Sequence, residues 1–439
     1  MHSSHVKPSR GGRGPLTLPM PSFGVLWSQY GPYHFARVAA LKSHADTQTI
    51  HALEIASRTS DYQWSRSGAT VNLITLFPDA VVERLSFWRV FLRTRRSFAQ
   101  LKLDVCFLPS YSPKQPLAAL LAAKSLGIRT VMMTESHMGT RKSRALGTWF
   151  KRRLVGMFDS ALVGGNPQRS YVESLGLPDK NIFLGYDVVD NDYFARRADE
   201  VRAQAGEFRA RYDLPRRYFL SLGRFVAKKN LATLMRAYRR FLDTAESPQT
   251  HLVMVGSGEE ETNLRLLCDE LRLHVYNKMS SKIDIRESCT GNSRPGVHFY
   301  GFRQIEENPI FYALADAFIL PSSLEEWGLV VNEAMSCGLP VVVSEKAGCA
   351  EDLLRAAPPA AESANGPGAL RGNGRLRQNG FTFDPKSVEA LTEALLALDA
   401  DSALRKSMGQ ASRAIVAEYS CDKFARSALL AAQTALGRA

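Results

Sequence analysis

The chain has 439 residues, 45% hydrophobic and 23% charged, a length that exceeds one compact core and predicts two globular domains of roughly 200 residues each. No stretch approaches the roughly 18 uninterrupted apolar residues of a membrane span, and the first twenty residues lack the apolar centre of a signal peptide, so a cytoplasmic location is expected. A formal charge of +13 favours anionic partners (phosphorylated small molecules, anionic lipid head groups or nucleic acid) without choosing among them.

In chain order, residues 1–20 read as a disordered tail, and 21–195 as a first domain. Short apolar runs rich in β-branched residues alternate there with longer amphipathic segments, the pattern of a parallel sheet flanked by helices. Strands are expected at 71–77, 103–110, 128–136, 160–165 and 181–189. Gly31, in "SQYGPYH", lies in a loop between a strand-like run and a helix, and His137, in "TESHMG", lies just past an apolar strand. Either residue can face a cleft, or simply make a turn and a strand end. Two basic aromatic stretches, 86–101 and 141–158, can form helices with apolar and arginine-rich sides. They suit either an anionic membrane surface or ordinary packing on the sheet. Asp190-Asn191-Asp192 matches the D-x-D spacing of metal-diphosphate sites, but its neighbours look like a strand running into an interdomain turn, so a metal role is disfavoured.

Residues 196–217 are charged, lack a strand and read as the linker. The second domain, 218–420, repeats the alternation, with strands expected at 218–223, 251–256, 297–301, 317–323, 340–344 and 380–383. Two segments, 276–295 and 355–378, carry Ser, Asn, Gly, Pro or charge without apolar periodicity and read as inserted surface loops. The six cysteines (Cys106, Cys268, Cys289, Cys337, Cys349, Cys421) are scattered and mostly within apolar runs, as reduced core thiols are, and no structural metal is expected.

In open parallel sheets, ligands bind beyond the carboxyl ends of the strands. The turn "SLGRFVAKKN" places Arg224 and Lys229 at the mouth of a helix, where two fixed cations can neutralise a diphosphate; merely solvated cations are the alternative. The turn "PSSLEEWGLVVNEAMSCGLP" predicts a helix from near Gly328 to Gly338. Glu325 and Glu333 are eight residues apart, about 12 Å along an ideal helix. That span suits a nucleotide sugar with its phosphates near the N–H groups of Gly328, Leu329 and Val330, one carboxylate on the sugar hydroxyls and the other on the ribose. Otherwise Glu325 or Glu326 caps the helix and Glu333 is exposed. The turn "VGSGEEE" (255–261) falls short of a phosphate loop and reads as helix capping.

These motifs, in this order, resemble glycosyltransferase family 4, the retaining glycosyltransferases of GT-B fold. "GRFVAKKN", "VMVGSG", "VHFYGF", "ADAFILPSSLEEWGLVVNEAMSCGLPVVVSE", "AGCAEDL" and "NGFTFDP" carry the resemblance in the second half, with "GPYHFAR", "TESHMG" and "VVDNDYF" in the first. It implies two Rossmann-like domains facing across a cleft and a last helix, within 421–439, that crosses back to the first. By similarity Arg224 and Lys229 would stabilise the departing diphosphate, Glu325 would contact the donor sugar and Glu333 the ribose. The Phe302 backbone would lie near the base, and His137 would approach the transferred sugar or the acceptor. The reaction implied is retaining transfer from a nucleotide sugar to a saccharide or lipid-linked acceptor in cell-surface polysaccharide or glycolipid synthesis, without metal or other cofactor. A sugar-nucleotide epimerase, a phosphorylase and a basic nucleic-acid-binding protein are the rival readings, and no nucleic-acid recognition module is evident. The chain departs from the pattern in the double-glycine loop, reduced to Gly31 with Pro32, and in the alanine that opens "AGCAEDL".

Overall fold

The computed structural model describes residues 21–45, 48–60, 71–140, 145–277, 294–357 and 374–437. The expected tail, most of both expected insertions, and Cys289 lie outside these residues.

The first sheet has seven strands: β1 (Ser22–Trp27), β2 (Thr49–Arg58), β3 (Leu73–Val81), β4 (Val105–Leu108), β5 (Arg129–Thr134), β6 (Ser160–Val163) and β7 (Ile182–Leu184). Their order is β3-β2-β1-β4-β5-β6-β7, all parallel, so the chain winds outward in both directions from β1. Sequence periodicity did not single out β1 and β2. β2 carries a carboxylate mid-strand, Glu54, which is fully buried because the Tyr30 N–H and the Thr75 hydroxyl donate to it at 3.0 and 2.6 Å.

The second sheet has eight strands: β8 (Tyr218–Leu222), β9 (His251–Val255), β10 (Val275–Asn277), β11 (Val297–Phe299), β12 (Ala317–Leu320), β13 (Val341–Ser344), β14 (Arg375–Arg377) and β15 (Gly380–Phe383). The order is β10-β11-β9-β8-β12-β13-β15-β14, parallel except for the last pair. Both faces of each sheet are covered, which is why strands such as Val341–Ser344 are apolar without alternation.

Only Ile182–Leu184 of the expected strand 181–189 is extended in the sheet; the following residues cross to the second domain. Val189 pairs with Ser420 there, so the two crossings run side by side, and the Asn191 amide ties them by donating to Val416 O at 2.9 Å and Tyr419 O at 3.2 Å. The charged stretch read as a linker is helical, over Asn191–Ala203 and Ala205–Tyr212, and Phe194, Ala198 and Val201 are buried in the second-domain core. Asp190 caps the first of these helices by accepting from Tyr193 N at 2.9 Å, which gives the D-x-D sequence a local structural role. The last helix, Cys421–Ala435, packs on the first domain through Ala425, Ala428, Ala431 and Ala432, small residues that permit close approach, and Ser160 Oγ donates to Ala431 O at 2.8 Å.

Candidate active site

Three loops at the carboxyl ends of β8, β9 and β11 are stitched together. Gly223 N–H donates to Val255 O, Phe225 N–H to Ser257 O and Gly256 N–H to Gly301 O, at 2.8–2.9 Å. A Cβ at Gly256 would lie 1.9 Å from Gly223 O, so the glycines of "VGSG" permit this close approach of backbones. Past Gly223 the chain carries the exposed Arg224 and turns at Asn230, whose side-chain amide donates to Pro321 O and Pro385 O at 3.0 and 2.8 Å. That anchorage brings Lys228 and Lys229 against the segment after β12.

Lys229 Nζ forms an ion pair with Glu325 Oε2, which also accepts from Ser322 Oγ at 3.1 Å; Glu325 is 8% exposed. Beside it, Lys228 Nζ lies 2.7 Å from Glu326 Oε2. The two carboxylates are therefore engaged by lysines, and the helix Leu329–Ser336 begins at Gly328, in the left-handed conformation (φ +104°), with no side-chain cap. Its opening leaves the N–H groups of Gly328, Leu329 and Val330 outside the helical ladder, at the positive end of the helix.

Glu333, on the first turns of this helix, is fully buried. The Tyr33 hydroxyl, from the first domain, donates to its Oε1 and the Asn308 amide to its Oε2 at 3.3 Å. Burial outweighs these donors and pushes its carboxyl up to about 7. Phe302 lies half-exposed on the rim just beyond β11 and Gly301. Next to Glu333, Pro32, Tyr33, Asp190, Tyr193, Ile305 and Glu306 line an interdomain cavity of about 380 Å³.

The first domain meets this site directly. His137 donates from Nε2 to the main-chain carbonyl of Glu325 at 2.9 Å, while Gly139 N–H donates to its Nδ1 at 3.2 Å, which fixes the Nε2–H tautomer. Gly31 precedes the helix Pro32–His44, and its N–H donates to His34 Nδ1 at 2.9 Å. Of the residues singled out from sequence, Lys229 and His137 both contact Glu325, and Glu333 meets Tyr33 two residues after Gly31. Gly328, Leu329 and Val330 open the helix that carries Glu333, and Arg224 and Phe302 lie on the loops after β8 and β11.

Periodicity and motif spacing missed several others. Asp352, within "AGCAEDL", accepts from the Asn166 N–H and side-chain amide at 3.0 and 2.8 Å, capping the first-domain helix Asn166–Ser174 from the second domain. Gln168 Nε2 donates to Glu326 O at 2.8 Å, and Trp327 packs beneath Gly164 and Gly165. The only sequence signal for this contact was the glycine pair at the end of β6. Among the described residues no group of three or more His, Cys, Asp or Glu side chains could hold a metal ion.

Residues 216–401 match the family described as Glycosyl transferases group 1. A sulfoquinovosyl transferase of Arabidopsis thaliana is 32% identical over 184 residues, which is 40% of this chain and 32% of that protein. A GDP-mannose-dependent alpha-(1-6)-phosphatidylinositol monomannoside mannosyltransferase of Mycolicibacterium smegmatis is 28% identical over 233 residues, 51% and 49% of the two chains. The chain thus spans about a third to a half of these relatives. Among solved structures, a glycosyltransferase of Rickettsia africae superposes with a TM-score of 0.66 at 14% identity, over 96% of this chain and 100% of that one. A sucrose-phosphate synthase of Thermosynechococcus elongatus does so with 0.64 at 16% identity, over 92% and 96%.

Proposed function

The second domain belongs to glycosyl transferases group 1 and the chain has the GT-B fold, and from that premise we propose that the protein transfers a glycosyl group, with retention, from a nucleotide-diphosphate sugar to an acceptor hydroxyl. One observation carries the reading: the Lys229–Glu325 pair lies just before, and the buried Glu333 within, a helix whose N-terminus at Gly328 has no side-chain cap. A diphosphate laid across that N-terminus meets Arg224, Lys229 and the amides of Gly328, Leu329 and Val330, charges already in place before the bond breaks. Glu325 then accepts from the sugar hydroxyls. Glu333 accepts from the ribose in place of the Tyr33 hydroxyl, the Phe302 main chain borders the base, and the Gly31 loop and His137 close from the first domain.

Fixed cations and amides supply the stabilisation that a metal would otherwise give, so the proposed reaction needs none, and chelation with EDTA should leave its rate unchanged. For the acceptor we favour a saccharide or lipid-linked saccharide, since the Mycolicibacterium relative is named for a phosphatidylinositol monomannoside. No helix among the described residues is long and apolar enough to cross a membrane; as part of this reading, a lipid-borne acceptor is met by peripheral contact at the cytoplasmic face. The test is a panel of nucleotide sugars assayed for donor hydrolysis and transfer. Lys229→Ala and Glu325→Ala should each lower turnover about a hundredfold or more while the thermal midpoint stays within a few degrees. Full turnover in either folded variant overturns the assignment.

A further inference from the structure

Glu333, to which the transferase reading gives the ribose, is fully buried, so a ligand reaches its carboxylate only after something moves aside. The first-domain group that covers it is Tyr33. That side chain is half-buried and donates its hydroxyl to Glu333 Oε1, while the Asn308 amide donates to Oε2 at 3.3 Å. The Asn308 Oδ1 has no hydrogen-bond partner among the described residues, so the protein's own donors do not use up the acceptors around this carboxylate. Tyr33 also borders the interdomain cavity of about 380 Å³ that Pro32, Ala36, Tyr193 and Ile305 line, and the cavity is space into which its ring can turn.

The backbone that carries Tyr33 is held in place. Pro32 fixes the first turn of the helix Pro32–His44, and the Gly31 N–H donates to His34 Nδ1 at 2.9 Å. The His34 ring stacks on Trp27 at 4.4 Å, and Arg37, one turn beyond Tyr33, donates to Val188 O at 3.0 Å. Rotation about the side-chain bonds of Tyr33 is the movement that remains. Exchanging one hydroxyl for another on the same carboxylate costs little, because the hydrogen bond lost and the one gained are of the same kind. A ligand without hydroxyls gains nothing by evicting the ring. A ribose brings two hydroxyls against the one that Tyr33 gives.

We propose that Tyr33 is a gate on the donor site: its hydroxyl holds the place of a ribose hydroxyl on Glu333, and the ribose of an incoming nucleotide displaces it into the neighbouring cavity. The inference rests on the transferase reading, in which Glu333 binds the ribose. Through this exchange Glu333 passes from a contact between the domains to a contact with the donor, so donor binding releases one tie across the cleft. Anions without a ribose, inorganic pyrophosphate among them, meet Arg224, Lys229 and the helix amides with the gate shut.

The test is calorimetric titration of the full chain with UDP, GDP, ADP and CDP, then with the 2′,3′-dideoxy counterpart of whichever binds tightest. It is made at pH 8, above the value of about 7 to which burial pushes the Glu333 carboxyl. Tyr33→Phe keeps the ring and removes the competing hydroxyl, leaving a buried acceptor that the ribose then satisfies. It should bind the ribonucleotide about tenfold tighter than the wild type and the dideoxy counterpart within twofold of it. Added to Glu333→Ala, Tyr33→Phe should change affinity less than twofold, because the group competed for is gone. A Tyr33→Phe chain with the wild-type thermal midpoint and unchanged or weaker affinity, in a protein whose Lys229→Ala variant loses the nucleotide, overturns the gate and leaves the transferase reading standing. Equal tightening for the dideoxy counterpart overturns it too, since the ring would then obstruct by bulk. A wild-type chain that binds none of the four nucleoside diphosphates sinks the transferase reading, and the gate with it.

Discussion

Glu333 shows how a side chain's chemistry follows from what covers it. Fully buried under Tyr33 and beside Asn308, it holds its proton up to about pH 7, far above an exposed glutamate. The Asn308 Oδ1 has no partner among the described residues, and turning that amide over would let it accept the proton of a protonated Glu333. Because the folded pKa is raised, the contribution to stability is complete below the unfolded value of about 4.5 and is lost as pH rises through about 7. Glu333→Gln, which mimics the protonated form, should therefore raise stability at pH 8 relative to wild type by up to about 3 kcal/mol and change it little at pH 5. Denaturant melts at the two pH values check this, and an equal effect at both would contradict it. Donor affinity should fall in the same variant, since a ribose hydroxyl is held less well by an amide than by a carboxylate.

At the scale of elements, the contact between the helix Asn166–Ser174 and the segment around Trp327 and Asp352 holds the two domains together. Gly165 is extended there, so alanine is permitted by its backbone, but the added Cβ would lie 2.2 Å from the Asp352 carboxylate and 2.8 Å from the Trp327 ring. Gly165→Ala should leave each domain folded and part them, seen as a larger radius of gyration in solution scattering together with a lower kcat. The helix Phe87–Leu101 divides its apolar residues. Val90 and Phe98 face the core, Phe87 and Phe91 pack at its edge, and Trp88 and Leu92, 68% and 63% exposed, face outward. Part of its basic side is engaged locally, Arg89 over the Phe77 ring and Arg93 on Leu76 O. Through this outward pair we propose peripheral contact with anionic lipid; Trp149 and Phe150 on the helix Ala145–Val155 are exposed as well. Flotation with phosphatidylserine vesicles should recover the wild type at low salt and lose it on Trp88→Ser with Leu92→Ser; no flotation at low salt removes the membrane contact.

For the whole molecule, two chain crossings and one returning helix join the domains. The first crossing runs through Val188 and Val189 and the second through Ser420, and Arg37 pins the first by donating twice to Val188 O at 2.9–3.0 Å. Beyond the second crossing, Cys421–Ala435 lies on the first sheet so closely that small side chains are required. Ala428→Leu should cost about 1–3 kcal/mol through overpacking, read as a lower thermal midpoint. Gln433 is exposed on the opposite side of the same helix, so Gln433→Leu should leave the midpoint nearly unchanged; equal effects at the two positions would contradict the packing argument.

The sequence by itself determined the class of fold, because parallel strands buried on both faces must be short, apolar and separated by amphipathic helices, and eleven of the expected runs became strands of the two sheets. It also determined the segment from Glu325 to Glu333, since a left-handed glycine before a short apolar helix and a second glycine after it are local signals. Local signals could not say that Glu333 is buried rather than exposed, that the charged run after Asp190 packs on the second domain, or that Asp187 and Arg37 meet. Those facts depend on which surfaces face each other across the cleft. Burial and the mutual influence of charges arise only when residues far apart along the chain are brought within a few ångströms of one another.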